Sequence, residues 1–191
     1  MPDRTVAGRR IAGRRIAGHI LPWFVLSVVI PLFFVVGCAA DQPTAVEPVE
    51  IRRRQEARLG EAIRLLGFDM GPPVIHPLGV IELTLFWEAE APVEGDYLVF
   101  AEVIGPSGDT YAHKERVPAD GARPTSSWQP GETIVDSYRM ALRGDGHSGF
   151  YRVWIGMLDP ENGMQRLPVY VNGERAPEDA LRLEMVIEAE P

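Results

Sequence analysis

Short segments in which apolar and polar residues alternate are the feature that most limits how this chain can fold. A period of two places successive side chains on opposite faces of a β-strand. The clearest example is 79–89, whose apolar face would carry Ile81, Leu83, Leu85 and Trp87 and whose polar face would carry Glu82, Thr84 and Glu88. This pattern predicts a strand with one face in a hydrophobic core, with Trp87 as a structural core residue.

Similar segments recur along the chain, separated by turn-forming residues. The predicted strands are 61–69, 79–89, 96–104, 109–116, 132–142, 149–158, 164–171 and 181–189. Gly, Pro, Asp and Asn cluster between them, for example at 105–108 (GPSG) and 159–163 (DPENG), and such clusters are typical of tight turns. Seven or eight short strands predict an all-β fold, an antiparallel β-sandwich that is Ig-like or jelly-roll-like, with a closed barrel as the alternative.

The N-terminal segment has a different composition. Five arginines, at positions 4, 9, 10, 14 and 15, precede an uncharged segment at 20–36. A basic segment followed by an apolar one is typical of an export signal, and arginines hold that end in the cytoplasm. We therefore expect a signal peptide at 1–37 that delivers the rest of the chain to the extracytoplasmic side of a bacterial membrane.

The apolar segment ends in Val35, Val36, Gly37 and Cys38, which resembles the lipobox of bacterial lipoproteins. The resemblance implies that Cys38 is acylated on its sulfur, becomes the first residue of the mature protein and anchors it in membrane lipid. Cys38 is the sole cysteine, so it has no disulfide partner within the chain. The alternative is an uncleaved anchor, because seventeen residues at about 1.5 Å each would span roughly 26 Å of membrane.

Residues 38–57 are predicted to be the lipidated cysteine and a flexible tether, and 58–191 the sandwich domain. The stretch 39–51 is polar and contains Pro43 and Pro48, which favours an extended linker, while 52–58 could form a short helical turn. Without 1–37 the chain has 14 basic and 26 acidic residues, a net charge of −12. Such a surface repels phosphate backbones, so we expect no nucleic-acid partner.

Several blocks resemble a known module. They are 65–69 (LLGFD), 83–89 (LTLFWEA), 96–100 (DYLVF), 124–132 (PTSSWQPGE), 149–160 (GFYRVWIGMLDP) and 166–169 (RLPV). They resemble the extracytoplasmic β-sandwich at the C-terminus of bacterial membrane glycosyltransferases of the protein-mannosyltransferase type. The resemblance covers about 58–188 and implies a fold and a compartment. It implies no transferase activity, because that chemistry belongs to a many-helix membrane portion absent from this sequence.

Two tryptophans are candidates for a binding surface. In the strand 149–158, Trp154 falls beside Arg152 on the face opposite Tyr151, so we expect Trp154 to be exposed to solvent and to contact a glycan or a protein. Burial under a loop or the tether is the alternative. Trp128 lies in a polar loop where it could stack on a sugar, but the favoured interpretation is that it plugs the open end of the sandwich.

Other conspicuous residues are predicted to be structural. Tyr151 is placed like the corner tyrosine of Ig-like sandwiches, whose hydroxyl ties a loop. Pro130 and Gly131 are predicted to form the turn into the next strand.

No residue pattern indicates catalysis, a metal site or a cofactor. His76, His113 and His147 share no ligand spacing. The segment 145–148 (DGHS) contains an acid, a histidine and a serine, but proximity in a turn does not fix the geometry that a catalytic triad needs. The segment 159–163 offers oxygen ligands for calcium, but a tight hairpin selects the same residues.

These observations favour a lipid-anchored, non-catalytic module that contacts an envelope glycan or a partner protein. The second hypothesis is an accessory subunit of a membrane glycosyltransferase or transporter. The third is a hydrolase that uses His113 or His147.

Overall fold

The computed structural model describes residues 49–76, 78–144 and 147–189. The predicted signal peptide, the lipobox residues Val35, Val36 and Gly37, and Cys38 lie outside these residues. Twelve strands are present: β1 Arg53–Leu59, β2 Ile63–Gly71, β3 Val74–Ile75, β4 Val80–Ala89, β5 Leu98–Ile104, β6 Thr110–Arg116, β7 Thr133–Ala141, β8 Gly149–Asp159, β9 Gln165–Arg166, β10 Val169–Val171, β11 Glu174–Arg175 and β12 Leu181–Ala189. Short 3-10 turns occur at Ala119–Gly121, Thr125–Ser127 and Pro177–Asp179. Nowhere in the described ranges is there a helix with the length and apolar character needed to cross a membrane.

The strands form two sheets that pack face to face. Sheet A has the order β11-β10-β1-β2-β4-β7, and sheet B has the order β3-β12-β8-β5-β6, with β9 also paired to β8. Every strand pair is antiparallel except β3 with β12. The predicted all-β, antiparallel sandwich is therefore confirmed.

The core lies between the sheets and follows the alternation in the sequence. In β4, Ile81, Leu83, Leu85 and Trp87 all have 0% of their surface exposed. In β8, the inward residues Tyr151, Val153 and Ile155 are equally buried. Burial of this many large side chains on both inner faces supplies the main driving force for folding.

The first strand differs from the sequence prediction. Arg53–Leu59 (RRQEARL) is strand β1, where the sequence predicts a short helical turn at 52–58 and a tether up to 57. Its residues have high helix propensity, but Ala57 and Leu59 both face the core, and β1 pairs with β2 and β10. Tertiary pairing therefore overrides local propensity here.

The side chain of Gln55 ties sheet A to sheet B at one edge of the sandwich. Its Nε2 donates to the carbonyl of Arg182 at 2.9 Å, and its Oε1 accepts from the backbone N–H of Glu184 at 2.8 Å. Both groups lie where the register of β12 against β8 shifts. The amide thus satisfies backbone groups that the sheet leaves unpaired.

Candidate functional site

Trp154 lies on the outer face of sheet B. Its neighbours in β8, Val153 and Ile155, face the core, while Arg152 is exposed on the same outer face. The Trp154 side chain is partly buried. The sequence predicts a solvent-exposed Trp154, whereas the structure shows a side chain that is only partly exposed.

The partial burial of Trp154 comes from a small apolar cluster on this outer face. The cluster contains Phe100, Leu158 and Ala180, which are 1%, 9% and 3% exposed, with Leu98 and Trp154 packed at its margin. Outer-face burial of this kind fixes the rotamer of a large aromatic side chain without removing it from solvent.

The Phe100 ring has room in this cluster because Gly156 is its partner across the strands. A Cβ at Gly156 would lie 2.4 Å from the Phe100 ring, closer than any contact can be. The guanidinium of Arg166 lies 4.5 Å from the centroid of the same ring. Phe100 is thereby held between Gly156 and a cation, and it supports the cluster from within.

Charged residues flank Trp154 on both sides in one cross-strand row. Arg182 in β12 is its partner on one side, and Glu102 in β5 is its partner on the other. The next residue in the row is His113 in β6, the partner of Glu102. The outer face therefore presents a fixed indole between a hydrogen-bond donor and a hydrogen-bond acceptor, a combination suited to binding a hydroxyl-rich ligand.

His113 lies between two carboxylates. Its Nδ1 is 3.3 Å from Glu102 and its Nε2 is 3.4 Å from Glu115, and Arg166 lies 3.7 Å from Glu102. A hydrolytic dyad needs a hydroxyl or thiol beside the imidazole. Within 49–76, 78–144 and 147–189, the contacts of the His113 ring are with these two carboxylates and not with a hydroxyl or thiol.

The described residues also contain no group of three or more His, Cys, Asp or Glu side chains arranged to hold a metal ion. At the turn 159–163, the Asp159 carboxylate accepts the backbone N–H groups of Glu161 and Asn162 at 3.0 and 3.2 Å. The segment is therefore built as a tight turn closed by its own aspartate.

Trp128 is not part of a binding surface, and the sugar-stacking interpretation is wrong. Its side chain is only 1% exposed, and its indole N–H donates to the carbonyl of Arg123 at 3.1 Å. The loop is fixed from below by the fully buried Thr125, whose hydroxyl donates to Gly95 and accepts from the backbone of Tyr97. The tryptophan plugs this end of the sandwich.

The residues after Trp128 form a turn. The N–H of Glu132 donates to the carbonyl of Gln129 at 3.0 Å, and Gly131 has a φ of +80°. Pro130 in the second position and Gly131 in the third suit a type II turn, whose third residue requires positive φ. Gly131 also donates to the carbonyl of Ala89 at the end of β4, which anchors the turn to sheet A.

Tyr151 ties a loop to the core. Its ring is completely buried and meets the ring of Tyr111 edge to face at a centroid distance of 5.2 Å. Its hydroxyl donates to the carbonyl of His147 at 2.7 Å. This is a loop tie of the type that a corner tyrosine makes.

A buried carboxylate lies next to Trp87. Asp136 in β7 has no exposed surface, and it accepts from the Tyr138 hydroxyl at 2.6 Å and the Ala119 N–H at 2.9 Å. Arg116 Nη2 lies 3.2 Å away; the indole nitrogen of Trp87 approaches without reaching hydrogen-bond geometry. Burial raises the pKa of Asp136 above its ordinary 3.8, against the opposing effect of these donors and of the arginine.

Asp136 is not among the residues predicted from the sequence, although the sequence contains a signal for it. In the predicted strand 132–142, Asp136 shares its face with Ile134, Tyr138 and Met140, all of which are buried. An aspartate on an apolar face must be paired with a donor. The alternation therefore locates the buried acid, but not Arg116, which lies twenty residues away in the other sheet.

Comparison with known proteins shows the fold alone. No family model matches the chain, and no curated protein matches it. Among solved structures, the C-terminal domain of Wzt is similar with a TM-score of 0.50 and 11% identity, over 74% of this chain and 81% of that one. A CARDB domain from Pyrococcus furiosus, solved in complex with di-metal ions, has a TM-score of 0.35 and 12% identity over 74% and 95% of the two chains.

The DNA glycosylase AlkC of Pseudomonas fluorescens, solved bound to DNA with an abasic-site analogue, is also similar over 71% of this chain and 31% of that one, with 17% identity and a TM-score of 0.35. At a TM-score of 0.35, neither it nor the CARDB domain indicates anything about this protein. The likeness to the Wzt domain supports a distant resemblance between two β-sandwich folds. Membership of the glycosyltransferase-associated module remains a prediction.

Proposed function

We propose that this protein is a lipid-anchored, extracytoplasmic β-sandwich module that binds an envelope glycan and performs no catalysis. The observation that carries the proposal is the cross-strand row on sheet B, in which Trp154 is held between Arg182 and Glu102. The row combines an aromatic surface with a hydrogen-bond donor on one side and, on the other, an acceptor that is held by His113 and Arg166.

Preorganisation is the physical basis for binding at this row. Immobilising a mobile side chain on binding costs about 0.5–1.5 kcal/mol. Trp154 is already packed against the cluster around Phe100, so that cost is met on folding. An indole also offers the C–H face of a sugar a large apolar surface, while Arg182 and Glu102 can bond its hydroxyl groups.

The membrane anchor is the second part of the proposal, and the sequence supports it. The arginines before residue 20 and the lipobox-like ending at Cys38 favour export followed by acylation. Several acyl chains hold a protein on a membrane much more firmly than one. With a net charge of −12 on the mature chain, the domain itself is repelled by anionic headgroups, which leaves the lipid as the anchor.

A glycan microarray probed with the full chain in detergent tests the binding function. Wild type, Trp154→Ala and Val135→Ala are compared, because Val135 is a large exposed apolar residue (43%) on sheet A and serves as a matched control. We expect Trp154→Ala to lose at least tenfold in signal on at least one glycan that wild type binds, and Val135→Ala to retain that signal. A Trp154→Ala profile identical to wild type would contradict the proposal.

A second function, as an accessory subunit of a membrane glycosyltransferase or transporter, is favoured by a separate observation on the same face. Val74, Phe150 and Val186 are 45%, 55% and 44% exposed. In the register of sheet B, Val74 and Phe150 flank Glu188 on either side, and Val186 is paired with Arg152. Exposed apolar residues grouped in this way are typical of protein contacts.

Site-specific crosslinking separates this second function from glycan binding. A photoreactive phenylalanine analogue replaces Phe150 or, as the control, Val135, in membranes that contain the full chain. The accessory-subunit function predicts a defined protein adduct from position 150 and none from position 135. Equal labelling from both positions, or none from either, contradicts it.

A further inference from the structure

We infer that an open cleft at one end of the sandwich is a second binding site, separate from Trp154, and that its ligand is a neutral oligosaccharide. The cleft has a volume of about 870 Å³ and is formed by the β1–β2 turn, the loop 91–97 and the segment 167–170. Small-molecule sites usually measure about 300–1,000 Å³, so the cleft has room for more than one sugar ring.

The walls of the cleft are fixed before any ligand arrives. The N–H of Gly60, in the β1–β2 turn, donates to the carbonyl of Pro168 at 2.8 Å. On the other side of the turn, the N–H of Glu90 donates to the carbonyl of Ala62 at 2.7 Å. The first bond joins the β1–β2 turn to the segment 167–170, and the second joins the turn to the residue directly before the loop 91–97, so binding requires little ordering of the chain.

Two tyrosines supply aromatic surface. Tyr97 and Tyr170 both line the cleft, and both are only partly buried. Among the described residues, neither hydroxyl has a hydrogen-bond partner, so each can donate to and accept from a ligand. Rings with a free hydroxyl suit the alternating C–H and O–H groups of a sugar.

Arg58 supplies the positive charge of the site. Its guanidinium lies 5.1 Å from the centroid of the Tyr170 ring, and no carboxylate in the described part of the chain forms an ion pair with it. It also borders a second concavity of about 420 Å³, which shares Tyr170 with the cleft. The two hollows therefore meet at Arg58 and Tyr170, which favours a chain of sugars over a single ring.

The charge around the cleft selects against acidic ligands. Glu61 and Glu94 line it, and Asp159 and Glu161 lie nearby. Burial is the largest cause of the raised pKa of the Tyr97 phenol, and the negative charges of these four carboxylates raise that pKa further. Four negative charges against one arginine repel uronates and phosphates. A neutral saccharide remains able to bond both Arg58 and the acids.

Titration of the full chain in detergent micelles tests this site by saturation-transfer NMR and calorimetry. The probes are the neutral tetrasaccharides cellotetraose, maltotetraose, mannotetraose and chitotetraose, with tetragalacturonate as the acidic comparison. The variants are Tyr170→Ala, Tyr97→Ala and Tyr170→Phe, and thermal melting of each confirms folding. Val135→Ala is the control, because Val135 is exposed on sheet A and lines neither the cleft nor the outer face of sheet B, and Trp154→Ala is measured beside it to separate the two proposed sites.

We expect at least one neutral probe to bind, with affinity reduced at least tenfold in Tyr170→Ala and Tyr97→Ala, reduced by less in Tyr170→Phe, which keeps the ring and loses the hydroxyl, and within threefold of wild type in Val135→Ala. Tetragalacturonate should bind at least tenfold more weakly than that probe. Absence of neutral binding, a preference for tetragalacturonate, or binding that is unaffected in both alanine variants would overturn the inference.

This inference rests on the proposed function only for the extracytoplasmic location of the domain. Binding at the cleft and binding at Trp154 can therefore fail separately. Loss of binding in Trp154→Ala with wild-type behaviour in both tyrosine variants would support the outer face and reject the cleft. Loss of binding in both tyrosine variants with wild-type behaviour in Trp154→Ala would support the cleft as a separate site, and the microarray then decides independently whether Trp154 binds a glycan of its own.

Discussion

The guanidinium of Arg116 lies 4.3 Å from the centroid of the Tyr138 ring, with Arg116 at the end of β6 in one sheet and Tyr138 in β7 of the other. The same side chain also pairs with Asp120 and with the buried Asp136. One arginine thus closes an edge of the sandwich opposite the edge tied by Gln55. It neutralises the one acidic side chain that is fully buried among the described residues.

Replacing this arginine should be strongly destabilising. Arg116→Met keeps an apolar side chain over Tyr138 but leaves Asp136 buried without a cation, which typically costs about 3–5 kcal/mol. Urea unfolding of the full chain in detergent measures the change. Arg139→Met is the matched control, since its pair with Glu82 is 78% and 70% exposed and such pairs contribute about 0–1 kcal/mol. Equal losses in the two variants would contradict the role given to Arg116.

The pH dependence of stability should identify Asp136 as a buried acid. Burial raises its folded-state pKa above the unfolded value near 3.8, so between those two values the folded chain holds the proton more tightly than the unfolded one. Stability from this group is therefore lost as the pH rises through that window. The difference in unfolding free energy between wild type and Asp136→Asn should fall as the pH rises above about 4. A difference that grows with pH over that window would show that pairing with Arg116, and not burial, determines the pKa.

Gly156 should be intolerant of even one added methyl group. In Gly156→Ala the new Cβ would meet the Phe100 ring, and overpacking of this kind typically costs about 1–3 kcal/mol. Because Phe100 supports the cluster beside Trp154, glycan binding at that face should weaken as well. Gly71→Ala is the control, since no atom lies within 4 Å of a Cβ there. Wild-type stability and binding in Gly156→Ala would contradict this packing.

Trp128 and Trp154, the two candidates for a binding surface, should differ in how much they contribute to the free energy of unfolding. Trp128→Ala removes a buried side chain and its hydrogen bond to Arg123, so we expect a loss of about 3–5 kcal/mol in unfolding free energy. Trp154→Ala removes a partly exposed side chain and should cost distinctly less. Denaturant unfolding of both variants checks this order. Equal losses would show that Trp154 belongs to the core.

The strands that the sequence predicts correctly are those in which apolar and polar residues alternate. The segments with buried inner faces, such as β4 and β8, were located to within one or two residues. β1 was missed because its outer positions are charged and its core contribution is limited to Ala57 and Leu59. The two-residue strands β3 and β11 exist because a neighbouring strand offers them an edge, and no local pattern encodes that.

The candidate site was partly predictable for the same reason. Strand parity placed Trp154 on the outer face, but its support by Phe100 depends on the register of β5 against β8, which positions Phe100 beside Gly156. The burial of Trp128 depends on contacts with residues on other segments. The cleft around Tyr97 and Tyr170 forms from three segments that are far apart in sequence, and no local signal marks such a site.

Both proposed functions require the sandwich to lie outside the cytoplasmic membrane on a lipid anchor. The most direct test is the intact mass of the polypeptide recovered from fractionated cells that express it. We predict a membrane-bound chain that begins at Cys38 and carries acyl mass on that residue, and a Cys38→Ser chain that lacks this mass. A membrane-bound, unacylated chain beginning at Met1 would replace the lipid with an uncleaved anchor. An unacylated chain beginning at Met1 in the soluble cytosolic fraction would contradict the account.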